Sequence, residues 1–404
     1  MQQTIVLLYA IILWTSFFAF LSVILKNRDF KIGFVKIRFV IGGFLLYIGK
    51  EVKARQSEES KLREIIRFSC IAATLLGMAF FYAFFIPSLF NMIKGFIAFS
   101  ARMSSSPPQP IAVPIPLLFT VVSVVKYLIT SIAIGAAVHE FAHAVIALRE
   151  GVGIRNWGVG CIFLIPLAFV ELDDNSFKNA SSVSRASIAA AGPFANALTA
   201  LAAWLLILFI LSSGFALSTA VEVVRVDCSI CSVAPCPAAK AGLYGGDVIY
   251  AVNGTIVQGV NDIAIILNKS KLGDVLILTV CRGGECFDKN VVLDTYSIKY
   301  GLARPCLGVE MRDTTIVLQN GKPYGGSIVW ELMQYLTFIF AVNFSLFVFN
   351  AIPLYITDGA VFLSSLAIGK RFIGKVIEAK VLDKVNVAIL IIAIAISTYL
   401  FLGV

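Results

Sequence analysis

Long apolar runs separated by shorter polar stretches are the main pattern of this 404-residue chain. A helix needs about 20 apolar residues to cross the hydrocarbon core of a bilayer. Six runs approach or reach that length, at residues 5–25, 65–90, 117–148, 186–211, 328–349 and 385–402. The first has no basic segment before it and no small-residue cleavage site, so we expect a retained span rather than a signal peptide. The pattern therefore predicts a polytopic α-helical membrane protein with about six transmembrane helices.

Two further apolar stretches are too short to span a bilayer. In residues 33–50, Gly42-Gly43 separates two halves rich in β-branched and aromatic residues, which predicts a membrane-associated β-hairpin. Residues 159–170 contain Pro166, which favours a re-entrant or strand-like segment.

Residues 213–326 interrupt the apolar pattern, because they contain ten basic and ten acidic residues. Their polarity is that of an ordinary soluble domain. We therefore predict an inserted α+β domain, which divides the membrane core into a first part, residues 1–212, and a second part, residues 327–404.

The order of turns within this insert is informative. Residues 237–243 suit a short helix, and the dipeptides Gly-Asp at 246–247 and Asn-Gly at 253–254 separate short β-branched strands. In this order the three features resemble a PDZ domain of the kind found in bacterial and membrane proteases.

Composition and charge agree with a membrane protein and suggest its orientation. Charged residues make up 14% of the chain, against about 25% in soluble domains, and the mean hydropathy is +0.89. Residues 26–67 contain eleven basic and five acidic residues, so the positive-inside rule predicts that this loop is cytoplasmic and that both termini and the insert lie outside. The net charge of +9 is thus a topology signal, and we expect no nucleic-acid partner.

Six of the eight cysteines fall in the insert, at Cys228, Cys231, Cys236, Cys281, Cys286 and Cys306. An even number outside the membrane favours disulfides in an oxidising space. The spacing Cys228-x-x-Cys231 also permits a zinc site, but neither a histidine nor a second C-x-x-C accompanies it. We therefore favour disulfides, whose connectivity does not follow from the sequence.

Both histidines of the chain, His139 and His143, lie in the predicted helix at residues 117–148. Four residues apart, they share one face of a helix. With Glu140 they form the H-E-x-x-H pattern, in which two imidazoles bind zinc and the glutamate is a general base. His143 precedes the basic flank at Arg149 by six residues, about 9 Å, so the predicted site lies inside the membrane, nearer the cytoplasmic face.

A catalytic zinc site takes three protein ligands, so the third must be a carboxylate or a cysteine. Asp358 is the best candidate, because it lies in an otherwise uncharged stretch at the same predicted depth, and an intramembrane carboxylate points to function. The alternative for Asp358 is a helix N-cap before Gly359. Five other residues could be the third ligand, but another role is favoured for each. Glu150 is expected to be solvated or paired beside Arg149, and Cys161 to be a small buried residue. The remaining three, Glu171, Asp173 and Asp174, form a cluster typical of a polar loop.

Asn196 and Asn350 are uncharged polar residues at span ends that face the same side of the membrane. They could bind the substrate backbone or stabilise an oxyanion. Hydrogen bonding between helices explains them equally well.

Three motifs and the insert together resemble the site-2 protease family of intramembrane zinc metalloproteases. The motifs are His139-Glu140-x-x-His143, Gly192-Pro193-x-x-Asn196 and Asn350-x-x-Pro353-x-x-x-x-Asp358-Gly359. Residues 166–172 are also similar to the Pro-Gly-Ala-Phe-Val-Asp-Leu segment of animal members, although Leu167 replaces the glycine. Ala360 stands where many bacterial members have a second glycine. The chain is thus closer to animal-type and archaeal members.

The resemblance implies a role for each matched residue. His139, His143 and Asp358 would hold one Zn²⁺, Glu140 would be the catalytic base, and Asn196 and Asn350 would support the site near the substrate. Substrates would be transmembrane helices of membrane-anchored proteins, usually cut first by another protease. The PDZ-like domain would screen them by size or bind the new carboxyl end.

The resemblance also gives the 33–50 hairpin a role, since a helical substrate must be unwound before hydrolysis. An edge strand near the site could hold the unwound segment by β-augmentation. We expect a multi-pass protein of a prokaryotic plasma membrane rather than a eukaryotic endomembrane, with its active site toward the cytoplasm.

Three other readings are open. A membrane zinc transporter or metal-binding protein would also use intramembrane His and Asp residues, but it needs neither Glu140 nor the insert. The membrane peptidases that process prenylated proteins share H-E-x-x-H but commonly take a glutamate from a separate helix as third ligand. A scaffold built around the PDZ-like domain leaves the buried His, Glu and Asp residues unexplained.

Overall fold

The structure is a computed structural model, in which the chain forms two compact units. The membrane unit comprises residues 1–204 and 337–404, and the insert unit comprises residues 205–336. The described residues are 2–25, 29–33, 35–49, 51–54, 60–100, 122–282, 285–297, 304–319, 322–324, 327–366 and 379–402. Residues 117–121, the start of the predicted third span, lie outside these residues.

The long helices follow the predicted apolar runs, and shorter helices lie between them. In order they are α1 (Gln2–Ile24), α2 (Lys61–Phe80), α3 (Ile86–Ser100), α4 (Val122–Arg149), α5 (Asp174–Asn179), α6 (Ser182–Ser212), α7 (Pro237–Lys240), α8 (Val260–Lys269), α9 (Ser327–Ala351), α10 (Asp358–Leu366) and α11 (Ala379–Leu402). A π-helical turn, Phe81–Phe85, joins α2 to α3.

Four helical segments of the described chain are long and apolar enough to cross a membrane. They are Lys61–Ile97, Val124–Arg149, Ser182–Ser212 and Ile328–Ala351. Shorter apolar segments, Ile12–Ile24 in α1 and Lys384–Ile396 in α11, fall below that length. Four of the six predicted spans are therefore supported by length and composition, and the other two, like the topology, remain predictions.

A five-stranded antiparallel sheet belongs to the membrane unit. Its strands are β1 (Asp29–Ile32), β2 (Val35–Val40), β3 (Gly43–Tyr47), β4 (Ile154–Ile162) and β5 (Ile165–Leu172), in spatial order β1-β2-β3-β4-β5. The predicted hairpin is confirmed by β2 and β3, in which Val40 pairs with Gly43. The second short apolar stretch is strand-like, because β4 and β5 form a hairpin that turns at Phe163 and Leu164, both with positive φ.

The position of the 33–50 hairpin in the sheet differs from our expectation that it supplies an edge strand near the site. Because β3 pairs with β4 and β2 pairs with β1, both strands of the 33–50 hairpin are interior strands. Among the described residues, the edge strand that packs against the His-bearing helix α4 is β5. The pairing of β3 with β4 joins segments more than 100 residues apart in sequence, which a local pattern does not reveal.

Small residues let α6 pack closely within the membrane unit. Its fully or almost fully buried residues include Ala186, Ala189, Ala190, Ala191 and Gly192. Small side chains at such positions allow helix backbones to approach each other in a membrane. Helix α6 thereby lies beside α4 at the level of the histidines.

The insert unit contains a seven-stranded sheet. Its strands are β6 (Phe215–Val226), β7 (Val248–Val252), β8 (Thr255–Ile256), β9 (Val275–Arg282), β10 (Glu285–Val292), β11 (Val309–Gln319) and β12 (Lys322–Tyr324). The order is β10-β9-β7-β6-β11-β12, with β8 paired to β7. The predicted short helix is confirmed by α7, and the predicted Asn-Gly turn joins β7 to β8, where Val252 pairs with Thr255.

All six insert cysteines form disulfides, which confirms that interpretation over a zinc site. The pairs are Cys228–Cys236, Cys231–Cys306 and Cys281–Cys286. Cys231, Cys236 and Cys306 are buried together in one cluster. The remaining two cysteines are free: Cys70 is buried and Cys161 is half-buried.

Candidate metal centre

Two helices bring three potential ligands together inside the membrane unit. His139 and His143 lie one turn apart on α4, and Asp358 is the first residue of α10. The Oδ2 atom of Asp358 is 2.9 Å from His139 Nε2 and 3.3 Å from His143 Nε2, and the two Nε2 atoms are 3.2 Å apart. Within the described ranges, these residues are the group that can hold a metal ion.

The chain reaches this arrangement because the helix break before Asp358 is tightly built. The Thr357 side chain donates to Leu354 O at 2.9 Å, closing the turn between α9 and α10. A Cβ atom on Gly359 would lie 2.2 Å from the carbonyl oxygen of Ala351. A glycine is therefore required for α10 to begin against the end of α9, which places Asp358 at the histidines rather than in a capping position.

The second nitrogen of each imidazole is engaged outside the group. His143 Nδ1 is 2.7 Å from the carbonyl oxygen of Ile188 on α6, and His139 Nδ1 is 2.5 Å from Asn196 Oδ1. Both Nε2 atoms are consequently directed toward Asp358.

The donor set and its surroundings fit a zinc ion. Two imidazole nitrogens and one carboxylate oxygen are ligands that zinc prefers, and each imidazole has the outer hydrogen bond typical of a metal ligand. The side chains of His139, His143 and Asp358 are 11%, 12% and 23% exposed. A Cβ atom on Gly192 would lie 2.5 Å from both Nε2 atoms, so this glycine keeps the space beside them open.

Glu140 lies at a cavity of about 540 Å³ that His143 and Asp358 also line. Its Oε2 atom accepts a hydrogen bond from the backbone N–H of Val170 on β5 at 3.0 Å. The sheet thus orients the carboxylate beside the ligand group. Polar residues that line the same cavity are Arg155, Glu171 and Asp174, so water can enter it.

The rival acidic ligands have other partners or positions. Asp173 caps α5 by accepting from the backbone N–H of Ser176 at 2.8 Å, and Glu171 accepts from Asn156 Nδ2 at 2.5 Å. Asp174 lines the cavity without joining the ligand group. The soft candidate Cys161 lies in β4.

Glu150 is held by two arginines of α2. Its carboxylate lies 3.1 Å from Arg63 Nη2 and 2.8 Å from Arg67 Nη2, and its side chain is 2% exposed. Burial opposes the charged form of this carboxyl, but the hydrogen bonds from Arg67 and Arg63 outweigh it and lower its pKa to about 2. Glu150 therefore joins α2 to the end of α4 as an anion at neutral pH.

The two asparagines selected from the sequence are placed differently. Asn196 is fully buried and contacts His139, so it supports the ligand group from outside. Asn350 is half-buried near the end of α9, and its predicted role stays a prediction. The partner of Asn196 on α9 is Asn343, at 2.9 Å, which sequence reasoning missed. Its signal was a polar residue seven positions, or two helical turns, before Asn350 in an apolar run.

Comparisons with known proteins bear on most of this chain. The family model of peptidase family M50 matches residues 127–396. An uncharacterized protein of Methanocaldococcus jannaschii, MJ0971, is 32% identical over 177 residues, which are 43% of this chain and 44% of that protein. The chain therefore spans less than half the length of this curated relative.

Two solved structures resemble a smaller part of the chain. The PDZ domain of an SdrC-like protein from Listeria monocytogenes is 21% identical and covers 22% of this chain and 85% of its own, with a TM-score of 0.19. The corresponding domain from Listeria innocua is 21% identical, covers 23% and 92%, and has the same TM-score.

Proposed function

The chain belongs to peptidase family M50, the site-2 protease family of membrane-embedded zinc metalloproteases, and on this premise we propose that it hydrolyses peptide bonds within transmembrane segments of membrane-anchored proteins. The observation that carries the proposal is the convergence of His139, His143 and Asp358 beside Glu140. These three residues would hold the zinc ion.

Bound zinc supplies a Lewis acid that polarises the scissile carbonyl and lowers the pKa of water. Glu140 provides the base: it accepts a proton from the attacking water and passes it to the leaving amine. The N–H of Val170 holds one carboxylate oxygen of Glu140 at 3.0 Å, which leaves the other for this proton. The adjacent cavity lets water reach a site within the membrane unit.

Strand β5 is positioned to hold an unwound substrate. The N–H of Val170 points away from β4, toward Glu140. N–H groups alternate in direction along an antiparallel strand, so Ala168 and Pro166 face the same free side of β5. A substrate segment that adds to this edge would lie beside the catalytic base, which transfers the role first considered for the 33–50 hairpin to β5.

The insert unit would select substrates that another protease has already shortened. A cavity of about 410 Å³ lies between α8 and β11, lined by residues such as Val260, Leu267 and Met311. This groove supports the proposal that the unit binds the new carboxyl end. We further propose that the protein lies in a prokaryotic plasma membrane, in line with its similarity to an archaeal protein. The metal centre would face the cytoplasm, because residues 26–67 are strongly basic.

The decisive experiment compares the wild type with Glu140→Gln, both reconstituted with a model transmembrane substrate. Removing the base is expected to lower the rate of cleavage at least about 100-fold. Zinc content should not change, because Glu140 is not among the converging ligands. Glu64→Gln, at an exposed position of α2, is the matched control and should cleave normally.

Two results would overturn this proposal. Cleavage by Glu140→Gln at the wild-type rate would remove the protease mechanism. Zinc binding by a wild type that cleaves no transmembrane substrate, but moves zinc across the bilayer, would favour the transporter.

A further inference from the structure

Two buried asparagines connect His139 to the backbone of two helices. Asn196 on α6 and Asn343 on α9 are both fully buried. Asn196 Oδ1 lies 2.5 Å from His139 Nδ1, and its Nδ2 donates to Asn343 Oδ1 at 2.9 Å and to the carbonyl oxygen of Gly135 at 3.1 Å. Asn343 Nδ2 in turn donates to the carbonyl oxygen of Ile339 at 2.9 Å.

The direction of every bond in this series is fixed by its backbone ends. A carbonyl oxygen can only accept, so the amide nitrogen of Asn343 must face Ile339 and its oxygen must face Asn196. The amide nitrogen of Asn196 then has two acceptors, Asn343 and Gly135, and its oxygen faces His139. Reversing either amide would place an amide N–H against another donor, or an oxygen against another acceptor, in a buried site. His139 Nδ1 must therefore carry the proton, and the lone pair is left on Nε2.

We propose that Asn343, acting through Asn196, is a positioning residue that sets the tautomer and the ring orientation of His139 for metal binding. The inference rests on the proposed function, because it concerns the same zinc site. His143 needs no such series, since its Nδ1 donates directly to the carbonyl oxygen of Ile188. Both N–H groups of Asn196 are already used, so this residue has none left for a substrate oxyanion.

Close packing makes the asparagine series rigid. A Cβ atom on Gly135 would lie 2.7 Å from Leu346 Cδ1 and 3.2 Å from Asn343 Oδ1. Helices α4 and α9 therefore approach each other closely where the amides meet, and Asn343 has little room to rotate. A simple helix–helix hydrogen bond would use the same packing, so the test must separate positioning from general stability.

The first measurement is the zinc affinity of the full chain in detergent, by competition with a chelator. Asn343→Leu removes the hydrogen bonds to Asn196 and Ile339 and is expected to weaken zinc binding about 10- to 100-fold, as for other outer-shell partners of zinc ligands. Asn343→Asp, with its carboxyl protonated, keeps an acceptor oxygen for Asn196 and an O–H donor for Ile339 O, and should recover most of that affinity. Ser345→Ala, at an exposed position of the same helix, is the control and should bind zinc normally.

A gentler variant covers the case in which Asn343→Leu does not fold. In Asn343→Ser the hydroxyl can still donate to Ile339 O, as Ser345 does to Ala341 O at 2.8 Å, but it is too short to reach Asn196. Its zinc affinity should fall as in the leucine variant. Wild-type affinity in the serine variant would overturn the proposal.

The second measurement uses the fact that the chain has two histidines. With ¹⁵N-labelled histidine and the zinc-loaded chain, the exchange of each Nδ1–H proton with water is followed by NMR. In the Asn343→Ser variant the His139 proton should exchange faster while the His143 proton is unchanged. Equal acceleration of both protons would indicate general loosening and contradict the positioning role. Neither measurement requires proteolysis, so the two proposals can fail separately.

Discussion

At the scale of single residues, Glu150 shows how a charge is stabilised at the end of α4, the helix that carries both histidines. It follows α4 directly and is buried against Arg63 and Arg67 of α2. A buried carboxylate that keeps two guanidinium partners is stabilising only while it remains charged, and loss of one partner leaves an uncompensated buried charge. The attachment of α2 to α4 should therefore depend on pH.

We predict that Glu150→Gln destabilises the membrane unit at neutral pH by about 3 kcal/mol, the worth of a pKa lowered from 4.5 to about 2. Because the folded-state pKa is the lower one, this stabilisation is complete above pH 4.5 and is lost as pH falls toward 2. Thermal unfolding of the metal-free full chain, measured between pH 7 and 2, should show the wild type and the variant converging. Glu64→Gln is the control, and a constant gap across this range would contradict the prediction.

Residues of the site differ in how well the sequence reveals them. His139, Glu140 and His143 are fixed by local spacing, since four residues on a helix make one turn. Asp358 follows from the high cost of a carboxylate in an apolar setting. Asn343 does not, because an asparagine in a membrane helix has many possible partners, and its contact with Asn196 joins positions 147 residues apart.

At the scale of elements, we propose two tasks for one edge of β5. One N–H of its free side holds Glu140, and the remaining groups of that side would face an added substrate strand. Pro166 already occupies this side of β5, which shows that the sheet tolerates a residue without an N–H there, as edge strands generally do. A second proline can therefore test the edge without breaking the pairing to β4.

Ala168→Pro should raise the KM for a transmembrane substrate about three- to tenfold, the worth of one lost hydrogen bond. Its zinc content should match that of the wild type, because the pairing of β5 with β4 is retained. Ala168→Val keeps the N–H and serves as the control in the same cleavage assay. An unchanged KM for the proline variant would show that substrates do not pair with this strand.

Helices and turns were predictable because their sequence patterns are local. The pairing of strands that are distant in sequence was not. The apolar runs located the long helices, and Gly42-Gly43 located the turn of the first hairpin. The hairpin's neighbour β4 was not predictable, because β3 and β4 pair Gly43 with Ile162 across the three helices α2, α3 and α4. The sequence therefore predicted an edge strand at the site but assigned it to the wrong hairpin.

At the scale of the whole molecule, the disulfides and the proposed metal ligands lie in different units. All three disulfides lie in the insert unit, and the three proposed metal ligands lie in the membrane unit. The Cys231–Cys306 bond spans 75 residues, whereas Cys281–Cys286 spans five. A longer closed loop restricts the unfolded chain more, so the two bonds should contribute unequally.

Replacing both cysteines of the long bond, Cys231→Ser with Cys306→Ser, should destabilise the insert unit by about 4 kcal/mol, against about 2 kcal/mol for Cys281→Ser with Cys286→Ser. Limited proteolysis of the full chain in increasing denaturant, with cleavage mapped to residues 205–336, measures both effects. Zinc affinity should be the same in wild type and both variants, because no disulfide lies in the unit that holds His139, His143 and Asp358. Equal losses from the two replacements would contradict the loop-length argument, and a fall in zinc affinity would show that the metal centre depends on the insert unit for its stability.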